Sequence, residues 1–192
     1  MRVASEQTAE VQEKRNEELR MATSRAWRAG CRDGMLHYLH SRIHEGKAEE
    51  GLGTPLEIVE AKLKAGEELL KSPYPKIRKA YGQLRAAQQL TAYVRATENT
   101  GAYRAEKIPV LFMDATLLLK EALEEPGIPE QEVVEVCNDL IHGPTTRSGL
   151  AVRIWSELSG PLQRNYSTSG TAQFIKGDFY VDYAWQARGN GG

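Results

Sequence analysis

Three of the chain's four histidines fall in one short stretch, Arg32-Asp33-Gly34-Met35-Leu36-His37-Tyr38-Leu39-His40-Ser41-Arg42-Ile43-His44. The steps of four, three and four between Asp33, His37, His40 and His44 put a carboxylate and three imidazoles on one side of a helix, the arrangement a metal ion would need. A single helix directs only two adjacent side chains at one ion, because residues 33 and 44 stand about 16 Å apart along the axis at the helical rise. A further ligand would have to come from Cys137, Asp139 or His142, and no spacing in the sequence brings one near. No metal and no cofactor are expected. The His37, His40 and His44 line is read as the border of a subunit contact, continuing the small groups Ala22 and Ala26, since half-polar rings are common at such borders.

The same stretch carries a second pattern. Arg32 and His37, with Asp33 beside the arginine, resemble the R-x4-6-H motif of HEPN ribonucleases, all-helical dimers that cleave RNA at a site shared between subunits. That resemblance implies that His37 handles the proton of the ribose hydroxyl, Arg32 stabilises the phosphorane charge and Asp33 orients the pair. The sequence departs from the family by carrying the motif in its first helical stretch rather than late in the bundle.

Other chemistry lacks its sequence pattern. There is no phosphate-cradling G-x-x-x-x-G-K-[ST], no G-x-G-x-x-G, no H-E-x-x-H and no G-x-S-x-G. Cys137 and His142 lie five apart, on nearly opposite sides of a helix, which separates a nucleophile from its base. Cys31 and Cys137 form no C-x-x-C pair, which argues against a disulfide framework or a zinc knuckle. With no catalytic pattern left, the chain is expected not to be an enzyme.

Charge is the stronger signal. A formal net charge of -1 conceals blocks of one sign. Six basic residues against two acidic ones lie between Lys14 and Arg32, seven against two between Tyr74 and Lys107, and one against eight from Val110 to Asp139. On a continuous helix Lys14, Arg25, Arg28 and Arg32 fall in a stripe about 60° wide, suited to the phosphates of a nucleic-acid backbone. The acidic block suits a neighbouring copy of the chain.

These residues must be positioned by helices. Residues 5–50 contain no proline and read as one long helical arm, with a kink or break invited at Gly30 or Gly34. Thr54, Pro55 and Glu57 spell a capping box that opens the next helix to about Lys71. Further helices are expected over 75–98, 109–125, 129–142 and 147–158, each bounded by proline or glycine. Over 179–185 the large apolar groups Phe179, Val181, Tyr183 and Trp185 alternate, the period of a strand, with 172–175 as its hairpin partner. The fold class expected is mainly α: a bundle of about five to six helices with a long N-terminal arm and a short C-terminal β-hairpin. Its parts are an arm over 1–50, a bundle over 54–160, and a hairpin with a flexible tail over 161–192.

A chain that is 41% hydrophobic and 27% charged folds rather than remaining disordered. It has no run of about 20 apolar residues to cross a bilayer, and its polar start is not expected to act as a secretory signal. The function expected is that of a structural, self-assembling helical protein, such as a viral coat or nucleoprotein subunit. Its partners would be copies of itself and nucleic acid, in the cytoplasm or a virion. The alternatives are the HEPN-like ribonuclease and a protein-only regulator or adaptor.

Overall fold

The computed structural model describes residues 2–97, 103–143 and 149–188, with side chains from residue 11 onward except at 186–187. Among these residues it is helical throughout, with no strand. The helices are α1 (Arg2–Arg28), α2 (Gly34–Ile43), α3 (Pro55–Lys71), α4 (Lys76–Ala96), α5 (Lys107–Ala122), α6 (Glu130–Ile141), α7 (Leu150–Asn165) and α8 (Gly170–Ala187), with a single 3-10 turn at Ala48–Glu50. They form two compact units, Met1–Ser72 and Pro73–Gly192. The division lies at the Ser72-Pro73 turn, so α3 belongs with the N-terminal helices.

In the first unit the arm is two helices rather than one rod. α1 stops at Arg28, Gly30 turns the chain at φ +83°, and Asp33 restarts it by accepting from the backbone N–H groups of Met35 and Leu36. Such a left-handed turn costs an L side chain energy that glycine escapes, and the Asp33 cap answers amide groups the new helix would leave unpaired. α2 folds back antiparallel on α1: Thr23 and Ser24 meet His44, while Trp27 meets His40 and His37. α3 opens with the expected Thr54/Glu57 capping box and runs antiparallel to α2, its Lys62 paired to Glu45 while Leu69 approaches Gly34. Tyr38, Leu52, Val59, Leu63 and Leu69 form this unit's core.

The second unit is built on α4. Lys76 at its start pairs with Glu121 at the end of α5, so the two are antiparallel. Arg78–Glu132 and Arg85–Asp139 run in the same order and set α6 parallel to α4. Lys120–Glu157 and Arg164–Glu124 set α7 parallel to α5. Five acids of the sequence's acidic block, Glu121, Glu124, Glu125, Glu132 and Asp139, are thus met by cations of their own chain. Behind these pairs Leu84, Phe112, Leu119, Leu140, Ile154 and Leu158 are buried together.

Two sequence expectations change here. The C-terminal β-hairpin is absent: residues 172–185 belong to α8, because Ala172, Ile175 and Phe179 are the buried positions, at steps of three and four. Alternation misled because aromatic residues occupy several sides of this helix at once, mimicking a two-residue period. α7 likewise continues through Pro161 instead of ending near Leu158. Pro161 and Leu162 are both buried, and that burial offsets the backbone hydrogen bond proline cannot make. The Asn99-Thr100-Gly101 stop and the tail beyond residue 188 lie outside the described residues.

Candidate functional site

The break after α1 brings the histidine stretch back onto that helix. His37, His40 and His44 are 4%, 3% and 5% exposed, so they form an internal seam rather than an open contact face. The rings make one array: Trp27 stacks on His40 at 4.4 Å and 13°, lies 4.7 Å from His37, and His40 lies 4.7 Å from His44. The sequence places Trp27 ten residues before His37, and only the fold-back at Gly30 makes them neighbours.

Glu50, on the 3-10 turn, closes the array. Its Oε1 accepts from the Ser24 hydroxyl at 2.9 Å and the Arg28 guanidinium at 3.1 Å, and its Oε2 faces His40 Nε2 at 3.2 Å. Burial pushes the Glu50 carboxyl up, but the Ser24 and His40 hydrogen bonds, with the charges of His44 and Arg28, outweigh it and hold the group below the usual carboxylate range. His40 must therefore donate from Nε2. His44 Nε2 lies 3.0 Å from the Thr23 hydroxyl and 3.2 Å from that of Ser24. Thr23 donates to the Leu19 or Arg20 carbonyl and Ser24 to Glu50, so His44 Nε2 is also a donor. Ser24 and His44 are consequently not a nucleophile and its base. Burial also lowers His37 and His44, disfavouring the charged form of both rings.

Arg32, Asp33 and His37 stay near one another, Arg32 and His37 both lying against the Trp27 ring, but each is engaged or enclosed. Arg32 lies over the Trp27 ring at 4.7 Å and donates to the carbonyls of Trp27 and Cys31. Asp33 caps α2. His37 is buried with its Nε2 unpartnered, out of reach of a strand in solvent. Among the described residues no group of three or more His, Cys, Asp and Glu side chains is placed to hold a metal ion.

The basic stripe is shorter than the sequence implied. Lys14, Arg25 and Arg28 remain on α1 and exposed, while Arg32 falls in the turn beyond it. Arg20, Arg25 and Lys47 flank an open groove of about 520 Å³, with Ser24, His44 and Glu50 at its floor and Glu17 and Glu49 on its rim. Glu50 and Lys47 were invisible to the sequence reading because nothing in their spacing announces a return to α1. Ala22 is exposed and Ala26 half-buried, and residues 11–19 of α1 are exposed on every side.

A polar cluster that includes the fourth histidine lies in the second unit. His142, at the end of α6, hydrogen-bonds through both ring nitrogens, Nδ1 to Asp182 and Nε2 to Asp178 of α8. Burial pulls this imidazole down, and the two carboxylates outweigh it, so its pKa is raised. The helical spacing of Asp178 and Asp182 was hidden by the strand reading. On the same helix Phe174, Val181 and Trp185, at 57%, 56% and 67% exposure, share one open face. No helix among the described residues is long and apolar enough to cross a membrane. Compared with known proteins, the chain matches no family model, no curated protein and no solved structure.

Proposed function

We propose that this protein is a structural subunit that assembles with copies of itself and contacts nucleic acid through the phosphate backbone, as a viral coat or nucleoprotein subunit does. The observation that carries the reading is the outer half of α1. Residues 11–19 are a helix exposed on all sides, and a polar helix of that kind gains too little from its own hydrogen bonds to persist in water without a partner. Lys14, Arg25 and Arg28 on that helix are exposed and spread over about 21 Å by the helical rise, a span that follows successive phosphates without reading sequence. The exposed Phe174, Val181 and Trp185 face of α8 favours a second reading, a protein-only adaptor, since contiguous apolar surface is a feature of protein contacts.

Sedimentation of the purified chain with and without single-stranded RNA or duplex DNA separates the two. Assembly predicts large particles whose formation depends on nucleic acid. Replacing Lys14 and Arg25 by alanine is expected to weaken nucleic-acid binding and to reduce the slope of log K against log salt by about 2. Unchanged binding and slope would refute the nucleic-acid contact and leave the adaptor. The buried His37 gives the ribonuclease alternative no accessible base.

A further inference from the structure

Glu50 is held as a ligand would be. A guanidinium, a hydroxyl and an imidazole N–H converge on one carboxylate that is 10% exposed, the donor set that oxyanion sites use. The carboxylate is carried on a short 3-10 turn between Gly46 and Gly51, both in the left-handed region at φ +83° and +72°. Beside it lies the open groove lined by Arg20, Arg25 and Lys47 together with Glu17 and Glu49; among the described residues neither Arg25 nor Lys47 is paired to an acid.

We propose that Glu50 is a tethered stand-in for a phosphate group: the seat formed by Ser24, Arg28 and His40 is a phosphate-binding site of the groove, and Glu50 occupies it until a phosphate displaces it. The proposal rests on the nucleic-acid reading above and adds its docking point and its regulation. A phosphate fits this seat better than a carboxylate does, because it presents more acceptor oxygens and a larger charge to the same donors, with Arg25 and Lys47 left over for the oxygens facing the groove. Glu50 can leave the seat by rotating its side chain alone, with the turn that carries it still closed by the Gly46 N–H to Leu52 carbonyl and Leu52 N–H to Lys47 carbonyl hydrogen bonds. An internal competitor lowers the apparent affinity by the fraction of time it holds the seat. The groove is thereby quiet toward stray phosphate and opens to a polyanion that is already held by Lys14.

The test is Glu50→Ala in the full chain, probed with inorganic phosphate and with a short oligoribonucleotide bearing or lacking a 5′-phosphate. Removing the competitor is expected to tighten binding about tenfold relative to wild type, and adding Arg28→Ala is expected to abolish the gain. A gain for both oligonucleotides assigns the seat to the phosphodiester backbone, and a gain confined to the 5′-phosphorylated one assigns it to a terminal phosphate. Either supports the proposal. Affinity for all three probes equal to or below wild type overturns it. Should Glu50→Ala not fold, Glu50→Gln replaces it with the same expected direction. The wild-type protein gives a second readout, because Trp27 stacks on His40: in a Trp155→Phe/Trp185→Phe background phosphate should change Trp27 emission, and no change at saturating phosphate refutes displacement. If Glu50→Ala leaves binding unchanged while Lys14→Ala weakens it, the tethered-anion inference fails and the nucleic-acid reading stands. If no variant binds any probe, both fall.

Discussion

Replacing Gly34 by alanine should destabilise the first unit, although helix propensity alone argues the reverse. Gly34 opens α2 where that helix meets α3, and an added Cβ would lie 2.7 Å from the Leu69 nitrogen, 2.8 Å from the Glu68 carbonyl carbon and 3.0 Å from the Leu69 Cα. These are backbone atoms that cannot rotate aside, so the two helices must separate by roughly 1 Å to restore ordinary van der Waals contact. Overpacking of this kind costs about 1–3 kcal/mol, against a propensity gain of at most about 1 kcal/mol for alanine over glycine in a helix. Taken from the middle of the overpacking range, about 2 kcal/mol, the net loss is about 1–2 kcal/mol, a fall of roughly 5–15 °C in melting temperature for a unit of this size. Trp27 emission reports it in a chain whose other two tryptophans are phenylalanine, since Trp27 packs on α2 through His37 and His40. Gly30→Ala is the control. It has open space around the new methyl group but a φ of +83°, so it should cost about 1 kcal/mol through backbone strain alone. A Gly34→Ala protein as stable as wild type, or more so, would show that α2 and α3 do not approach as closely as described.

The two units should answer pH in opposite directions. His37 and His44 are lowered by burial, so their contribution is complete above about pH 6.5 and is lost as pH falls below that value. His142 is raised because Asp182 and Asp178 outweigh burial, so its clamp is complete below about pH 6.5 and fades as pH rises through its folded-state value. Urea unfolding followed by Trp27 in one single-tryptophan variant and by Trp155 in another, across a pH series, would expose the contrast, and parallel pH profiles would contradict it. Thiol chemistry should separate the two cysteines: Cys31 is exposed, whereas burial pushes Cys137 up to about 12. A thiolate-specific reagent should therefore label one cysteine in the native protein and both in denaturant, and two labelled native cysteines would refute that burial.

Local signals wrote much of this fold. The Thr54/Glu57 box, the Pro75 and Pro129 starts and the Gly30 break all act through a few neighbouring atoms, so sequence spacing suffices to read them. The histidine stretch shows what spacing cannot supply. His37, His40 and His44 do share a helix side, but which surface that side faces depends on the chain reversing at Gly30. Glu50 and Trp27 enter the site only through that reversal. α8 failed for a different reason: Phe179, Val181, Tyr183 and Trp185 alternate by chance of composition, and the deciding fact is that Ala172, Ile175 and Phe179 find a core supplied by α6 and α7. The charge blocks were visible in the sequence, while their pairing across 37 to 54 positions was not.

That pairing carries an evolutionary consequence. Arg78 with Glu132, Arg85 with Asp139 and Lys76 with Glu121 tie the polarity of α4 to that of two later helices. Inverting one member places like signs face to face, and inverting both restores the match. Sequences descended from a common ancestor with this chain should therefore exchange sign at these positions in concert, a record of helix adjacency kept in charge long after the individual letters have drifted.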